Sequence, residues 1–557
     1  MFHPIEMRTA PLNVNNTESK LILILSAVLI VLGIVIPVLP LHLGFYPWKD
    51  EEYQLLCMAD YRNNPLSGFT MFVGYIWSHS IGSDTFLSFR ILAYICNTIS
   101  ILLPCVYFYF NSRQVLLSCA MFFVLQLTIS AFGLYSYEWD IMSNLTLALC
   151  CLTAVCYLKK PSYGKIIILS VLTAISIYSR IPNIALLPVT LILISVTPQS
   201  IKRKIIDSII FIFVTVISSE LLNLLIWGGV ENFIKAWNPE NVITGHKSIF
   251  GMVVSQFWGY YPTVFGYIAI WIGLYASVWF IYRTLKGSKW RVLAIIVIGF
   301  TLLTFLLVVR ATTHDAHRYG IEVFLFTIIL IPMIALYKNK PMKFPILLSL
   351  TLLAYSSVSF VGSDCGLAKL LSLPLMPLAF AELYRYRIPS VKAFYVMLGA
   401  VVVISYPVLR VKDPATKDWI NLYSDTYAGI DKLKGMKGSA SDVRFVTGVY
   451  DWAIKEKNDG HKILFLGPKR YLFDYILNND EDWVNRYPVQ RYHDDNDFET
   501  IGPKMDGIID GFDYVFLYFK FDDSQLECAT DRLAQKGFSL YLTDDNYTIY
   551  KKWQPTK

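Results

Sequence analysis

From Leu21 to Leu41 the chain runs through 21 residues without a single ionisable side chain. A helix rises 1.5 Å per residue, so about 20 apolar residues cross a hydrocarbon layer roughly 30 Å thick. The run is too long for the core of a signal peptide, and no convincing small-residue cleavage site follows it. It is therefore read as a retained first span. Comparable runs recur near 86–110, 114–134, 141–158, 166–179, 183–197, 205–227, 262–282, 292–309, 320–337, 344–361, 370–384 and 393–409, about thirteen in all. Backbone polar groups inside a bilayer must pair within their own segment, so these runs are expected to be helices. The shorter runs between 166 and 197 are expected to be tilted or displaced.

Composition shows where this pattern stops. Of the 557 residues 55% are hydrophobic and 16% charged, against about 25% charged in an average soluble domain. The first 409 residues hold 17 acids and 28 bases, net +11; the last 148 hold 25 acids and 21 bases, net −4. A single soluble globule, a disordered chain and a nucleic-acid binder are excluded. What remains is a polytopic α-helical membrane protein of about 13 transmembrane helices, residues 1–409, followed by a soluble C-terminal α/β domain, residues 410–557.

The connections alternate in charge. One set carries Arg8, Lys20, Arg113, Lys159, Lys160, Lys165, the Lys202–Lys204 run, and further bases near 283–291, 338–343 and 385–392. That is nineteen bases, with only Glu6, Glu18, Asp207 and Glu382 as acids. By the positive-inside rule this side is cytoplasmic. Thirteen spans then put the N-terminus inside and the C-terminal domain outside. Six cysteines (Cys96, Cys105, Cys119, Cys150, Cys151 and Cys156) fall in spans and read as small apolar filler. A disulfide among the outward Cys57, Cys365 and Cys528 is possible by number alone.

The outward loops carry the residues that membrane filler does not need. The first, from Tyr46 to about Ser83, opens WKDEEYQLLCMADYRNNPLSGF, with Asp50, Glu51 and Glu52 just past the first span. The apolar residues after them are compatible with a helix on the membrane surface. The acids can equally be a solvated helix N-terminus favoured by the macrodipole. The second loop, YSYEWDIMSN, squeezes Glu138 and Asp140 between two spans. Arg180 marks another tight outward turn, and Arg90 lies in the outer part of the second span, where it snorkels or pairs with an acid. Carboxylates can deprotonate a hydroxyl nucleophile. Arginines hold phosphate and neutralise charge on a departing phosphate. Acid and arginine at a lipid interface suit group transfer from a lipid-linked phosphate, and suit a transporter's substrate path as well.

Four stretches narrow that choice by resemblance. They are Asp50-Glu51 with Tyr53 and Ala59 after it; Pro65-Leu66 followed by GSDTFLSFRIL ending near Arg90; YEWDIMSNLTLALCCL with Asp140; and HRYGIEVFLFTIILIPMIAL with Arg318 and Tyr319. In order and spacing over roughly residues 20–340 they resemble the GT-C membrane glycosyltransferases, in the group of the protein O-mannosyltransferases and the lipid A aminoarabinose transferase. The likeness extends to the plan of thirteen spans plus an outside C-terminal domain. The group's usual Lys-Pro-Pro-Leu stands here as Asn64-Pro65-Leu66, so a lysine expected near donor phosphate is missing, with Arg62 or Arg180 as its replacement.

The resemblance implies a GT-C fold and an inverting transfer of a sugar from a polyprenyl-phosphate donor to a hydroxyl on a glycan, lipid or protein. The reaction would occur on the outer face of a bacterial cytoplasmic membrane. Asp50 would accept the acceptor proton, with Glu51 and Asp140 orienting the acceptor or Asp50. Arg318, with Arg62, Arg90 or Arg180, would hold the phosphate, and Glu138 and Tyr319 would line the substrate site. A structural ion pair explains Arg90 equally well. No essential metal is expected; a divalent cation, if used, would sit on Asp50, Glu138 and Asp140. The rivals are a flippase of lipid-linked sugars and a polysaccharide polymerase or ligase with a diphosphate-linked donor.

In the C-terminal part, HKILFLGPKRYLFDYIL reads as strand, turn and helix, FDYVFLYFK as a second buried strand, and FSLYLTDDNYTIYKK as a hairpin around Asp544-Asp545-Asn546. It carries no phosphate-binding fingerprint and is read as a structural or acceptor-docking cap. The GSDCGLAK loop, with Asp364 and Lys369, is either an acceptor contact or a glycine-rich turn.

Overall fold

The computed structural model describes residues 16–44, 51–59, 61–81, 83–131, 136–237, most of 324–358, 368–386, 425–466, 470–478, 509–518, 530–544 and 547–553. The apolar runs near 262–282, 292–309 and 393–409, and the boundary drawn at 409, lie outside these residues.

The first helices are α1 (Asn16–Val38), α2 (Glu51–Ala59), α3 (Gly68–Ile81), α4 (Phe86–Ser112) and α5 (Val115–Ala131). They are followed by α6 (Trp139–Lys159), α7 (Tyr163–Ser179), α8 (Leu186–Val196), α9 (Ile201–Trp227) and α10 (Val230–Ala236). Among the described residues four helices, Lys20–His42, Phe86–Ser112, Trp139–Lys159 and Ile201–Trp227, are long and apolar enough to cross a membrane, and four more are apolar but shorter. The chain is a multi-pass membrane protein. Later helical residues between 324 and 336 precede α11 (Lys343–Val358) and α12 (Ala368–Arg385).

Capping follows the sequence. Thr85 accepts from the Ser88 N–H at the start of α4, and Ser200 accepts from the Arg203 N–H at the start of α9. Gly228, at φ 78°, closes α9 in the left-handed conformation that glycine adopts without strain. Of these four span-length helices α6 is the most buried, and it packs on α4 and α7. Phe108 of α4 stacks on Phe380 of α12 at 5.3 Å. By contrast α1 and α9 leave most of their apolar surface exposed, as helices facing lipid do.

The helix ends sort the charges. At one end of the helices Lys159 Nζ donates to Asn111 Oδ1 at 2.9 Å, Arg385 pairs with Glu382 at 3.0 Å, and Arg203 pairs with the fully buried Asp207. Lys165 donates to the carbonyls of Cys156 and Lys160, which end α6. These bases are the ones the loop pattern assigns to the cytoplasmic side. The opposite end holds α2, α3 and the start of α4.

From Asp425 onward strands appear. β1 (Asp425–Thr426) pairs antiparallel with β2 (Lys437–Gly438). After helix α13 (Ala440–Asn458), β3 (Ile463–Leu466) leads into α14 (Arg470–Ile476), and β4 (Tyr514–Tyr518) lies parallel to β3. β5 (Phe538–Asp544) and β6 (Tyr547–Lys552) form an antiparallel hairpin with Asp544 opposite Tyr547, and the sheet order is β3-β4-β6-β5. The strand, helix and hairpin read from the sequence are therefore present. Phe465, Phe473 and Phe516 pack together in its core, Phe465 stacking on Phe473 at 5.1 Å.

This C-terminal part sits on the α2 end. Tyr471 meets Tyr53 edge to face at 5.2 Å, and Tyr475 meets Phe86 the same way at 5.3 Å. The Tyr475 hydroxyl donates to the Asp84 carbonyl. Burial, and then the Asp84 charge, push its phenol well above the ordinary value, which keeps the proton needed for that bond. Lys432 Nζ lies 3.6 Å from Asp84 and 4.0 Å from the Tyr475 ring centroid. The Gly44 N–H donates to the Lys437 carbonyl at 2.8 Å, joining the end of the first span to β2.

Candidate functional site

Glu51 opens α2 and is 2% exposed, which overturns its reading as part of a solvated helix terminus. Nor does α2 lie open on a membrane surface. Tyr53, Gln54, Leu55, Leu56, Cys57 and Met58 are all buried, because α3 covers one side of the helix and α14 another. The sequence pattern of the loop could not reveal α14 as that cover, since it comes from more than 400 residues further along the chain.

The partner of Glu51 is Arg90, fully buried in the second turn of α4. Its Nε–H donates to Glu51 Oε1 at 2.7 Å and one Nη2–H to Oε2 at 2.8 Å, a two-bond fork. The remaining N–H groups reach the carbonyls of Leu41 and Leu43, each at 3.0 Å, and Gly44 at 2.8 Å. A guanidinium has five N–H donors, and protein acceptors here take all five. Of the two readings of Arg90, the geometry is that of the structural ion pair. Its work is to fix the end of the first span against the start of α2. Asp50 itself lies outside the described residues, between these two fixed points in sequence.

The second acid comes from the next loop. Asp140 lies in the first turn of α6, 8% exposed, and Arg180 caps α7, 6% exposed. Arg180 Nε stands 3.7 Å from Asp140 Oδ1. Glu138 is the half-buried N-cap residue of α6. Arg62 sits in a short 3-10 turn, Tyr61–Asn63, with its guanidinium exposed over the Tyr61 ring at 5.5 Å. The structure thus brings Glu51 to Arg90 and Asp140 to Arg180, all at the end of the helices that carries α2. Arg318, Tyr319 and Asp364 lie outside the described residues, and Lys369 belongs to the first turn of α12.

Helix α3, inside the first loop, binds these parts together, and no span-length signal marked it. Tyr137, from the loop carrying Glu138 and Asp140, donates to the Thr70 carbonyl at 3.1 Å. Thr70 Oγ1 donates to the carbonyl of Ser179, the residue before Arg180, at 2.9 Å. Trp227, at the end of α9, donates from Nε1 to the Arg62 carbonyl at 2.7 Å and lies against Gly68, where a Cβ has no room. Thr70 and Tyr137 are ordinary residues in sequence, and only their depth in the helix bundle marks them.

Under Asp140 and Arg180 a polar layer crosses the helices. Asn183 Nδ2 donates to Ser143 Oγ at 2.8 Å and to the Ser176 carbonyl at 3.0 Å, and Thr146 Oγ1 donates to Ser176 Oγ at 3.1 Å. Asn144, in the sequon Asn144-Leu145-Thr146, is 4% exposed within this layer. Among the described residues no group of three or more His, Cys, Asp or Glu has metal-holding geometry. Asp50, one of the three acids expected to hold a cation, is not among them.

No family model and no curated protein matches the chain. Among solved structures it is similar to ArnT from Cupriavidus metallidurans in the apo state, at 13% identity and TM-score 0.44, over 96% of this chain and 98% of that one. It is similar to the same protein bound to undecaprenyl phosphate at 12% identity and TM-score 0.41, over 96% and 98% of the two chains. It is also similar to the Archaeoglobus fulgidus oligosaccharyltransferase in complex with zinc and sulfate, at 11% identity and TM-score 0.46, over 95% of this chain and 73% of that one.

Proposed function

We propose that the chain is an inverting membrane glycosyltransferase that moves a sugar from a polyprenyl-phosphate donor to a hydroxyl of a glycan, lipid or protein. The observation that carries this reading is the gathering of acid and arginine from separate loops at one end of the helices, above all Asp140 with Arg180 at 3.7 Å and Glu51 with Arg90 at 2.7 Å. A transfer of this kind needs a carboxylate to take the acceptor proton and cations to receive a phosphate that leaves already ionised.

In this reading Asp50 is the base. The acceptor oxygen forms its bond to the anomeric carbon as the bond to the phosphate oxygen breaks, and the acceptor proton passes to Asp50. Glu51, engaged by Arg90, fixes the backbone next to the base, and Asp140 orients the acceptor. Arg180, Arg62 and Arg318 serve the phosphate, with Glu138 and Tyr319 beside them. No cofactor is required; a divalent cation, if one takes part, belongs on Asp50, Glu138 and Asp140. The positive-inside pattern puts this end of the helices outside a bacterial cytoplasmic membrane, with the N-terminus inside and the C-terminal part outside.

The test is transfer by purified protein in detergent from polyprenyl-phosphate sugars to hydroxyl acceptors, alongside mass spectrometry of envelope glycans and glycolipids in a deletion strain. Product from the wild type and none from a folded Asp50→Asn protein is the expected result. Unimpaired transfer by Asp50→Asn removes Asp50 as base. Movement of labelled glycolipid across liposomes with no transfer product identifies a flippase instead.

A further inference from the structure

Gln54 stands one turn beyond Glu51 on α2. It is fully buried, and neither its Oε1 nor its Nε2 has a hydrogen-bond partner. A buried primary amide with both ends unmatched is rare in a folded chain and calls for a reason. Its surroundings narrow that reason. Glu51, Gln54 and Met58 follow one another at helical spacing along one face of α2. Met58 and Tyr137 both approach Gly74 of α3, where a Cβ would stand 2.8 Å from Met58 Cγ and 3.3 Å from Tyr137 Cε1. Next to Tyr137 in the chain is Ser136, also fully buried, with an Oγ that lacks a partner. Each of the two acid-bearing loops therefore contributes one buried, unmatched polar side chain: Gln54 one turn before Met58 on α2, and Ser136 next to Tyr137 in the chain.

We propose that Gln54 is a further substrate-binding residue of this site, its amide held for the hydroxyl groups of a sugar, with the Ser136 hydroxyl as a second contact. The inference rests on the glycosyltransferase reading and names residues which that reading does not use. A carboxamide offers an acceptor and a donor side by side, the pattern that two neighbouring sugar hydroxyls satisfy. A polar group kept unmatched in the free protein rejects a ligand that lacks the matching hydroxyls, because the mismatch then persists in the complex. Met58, flexible and unbranched, is the neighbour on that face of α2 that repacks most readily when a ligand enters.

The test compares Gln54→Leu and Gln54→Met in the deletion strain, reading envelope glycans by mass spectrometry and the Tm of each purified protein in detergent. Both substitutions remove an unmatched buried amide, so both are expected to hold or raise Tm while lowering the product at least tenfold. Ser136→Ala is expected to give a smaller loss at unchanged Tm. Product at the wild-type level in either Gln54 variant overturns the proposal and leaves the glycosyltransferase reading intact. A loss of product that merely tracks a lowered Tm in both Gln54 variants overturns it too. A deletion strain whose glycans equal the parent's overturns the reading, and this proposal with it.

Discussion

Arg90 and Glu51 form a two-bond ion pair from which water is excluded, and the same guanidinium holds three carbonyls of residues 41–44. Removing one partner of such a pair strands the other charge without water. Arg90→Met is expected to destabilise the protein by about 3–5 kcal/mol. Glu51→Leu combined with Arg90→Met should cost clearly less than the two single changes added together. Thermal unfolding of the three variants in detergent checks both statements.

The Asp140–Arg180 contact is looser, at 3.7 Å, and its partners retain a little exposure. Its loss should therefore tell on the reaction more than on the fold. If transfer follows the mechanism proposed above, Arg180→Gln and Asp140→Asn each lower product formation by roughly 10²-fold or more, the scale of losing one well-placed electrostatic group. Tm should change little beside the effect of Arg90→Met. Parallel transfer assays and melting curves distinguish this from an ordinary structural pair.

Two glycines of α3 are predicted to tolerate no side chain. Trp227 fills the space a Cβ would need at Gly68, and Met58 and Tyr137 fill it at Gly74. Gly68→Ala and Gly74→Ala each gain helix propensity, but overpacking outweighs that gain at about 1–3 kcal/mol. Trp227→Ala in the Gly68→Ala background should recover part of the loss, measured as the Tm difference across the double-mutant cycle.

Tyr475 joins the C-terminal part to the turn before α4 through one hydroxyl. Tyr475→Phe keeps the ring against Phe86 and leaves the Asp84 carbonyl without that donor. About 1–3 kcal/mol of docking should be lost. Limited proteolysis is the measurement: the C-terminal part of Tyr475→Phe should be cut faster than the wild type, at unchanged sheet content by circular dichroism.

Much of this framework was legible in the residues. The run from Leu21 became α1, and the runs at 86–110, 141–158 and 205–227 became α4, α6 and α9 nearly end to end, because span length is fixed by the bilayer rather than by neighbours. Strand β3, helix α14 and the β5–β6 hairpin also followed local pattern. Helix α3 did not announce itself. At 14 residues it is too short for a span, and what it does depends on Thr70 meeting Tyr137 and Ser179, contacts distant in sequence. The acids were visible by their position after spans, yet the cover that α14 places on α2, with Tyr471 against Tyr53, is one that no reading of the first loop alone could supply.

The docking of the C-terminal part has a consequence for how such a chain comes into being. Asp84 and Tyr475 are 391 residues apart, a stretch that takes about 20–80 s to synthesise at ordinary ribosome speeds. During that interval α2 and the end of the first span have already left the ribosome, while the segments that grip them at Gly44, Tyr53 and Asp84 do not yet exist. The acid-bearing loop therefore waits, unfinished, until the segments carrying Lys437, Tyr471 and Tyr475 have been made. A nascent or prematurely ended chain inserts its helices without completing that end of the molecule.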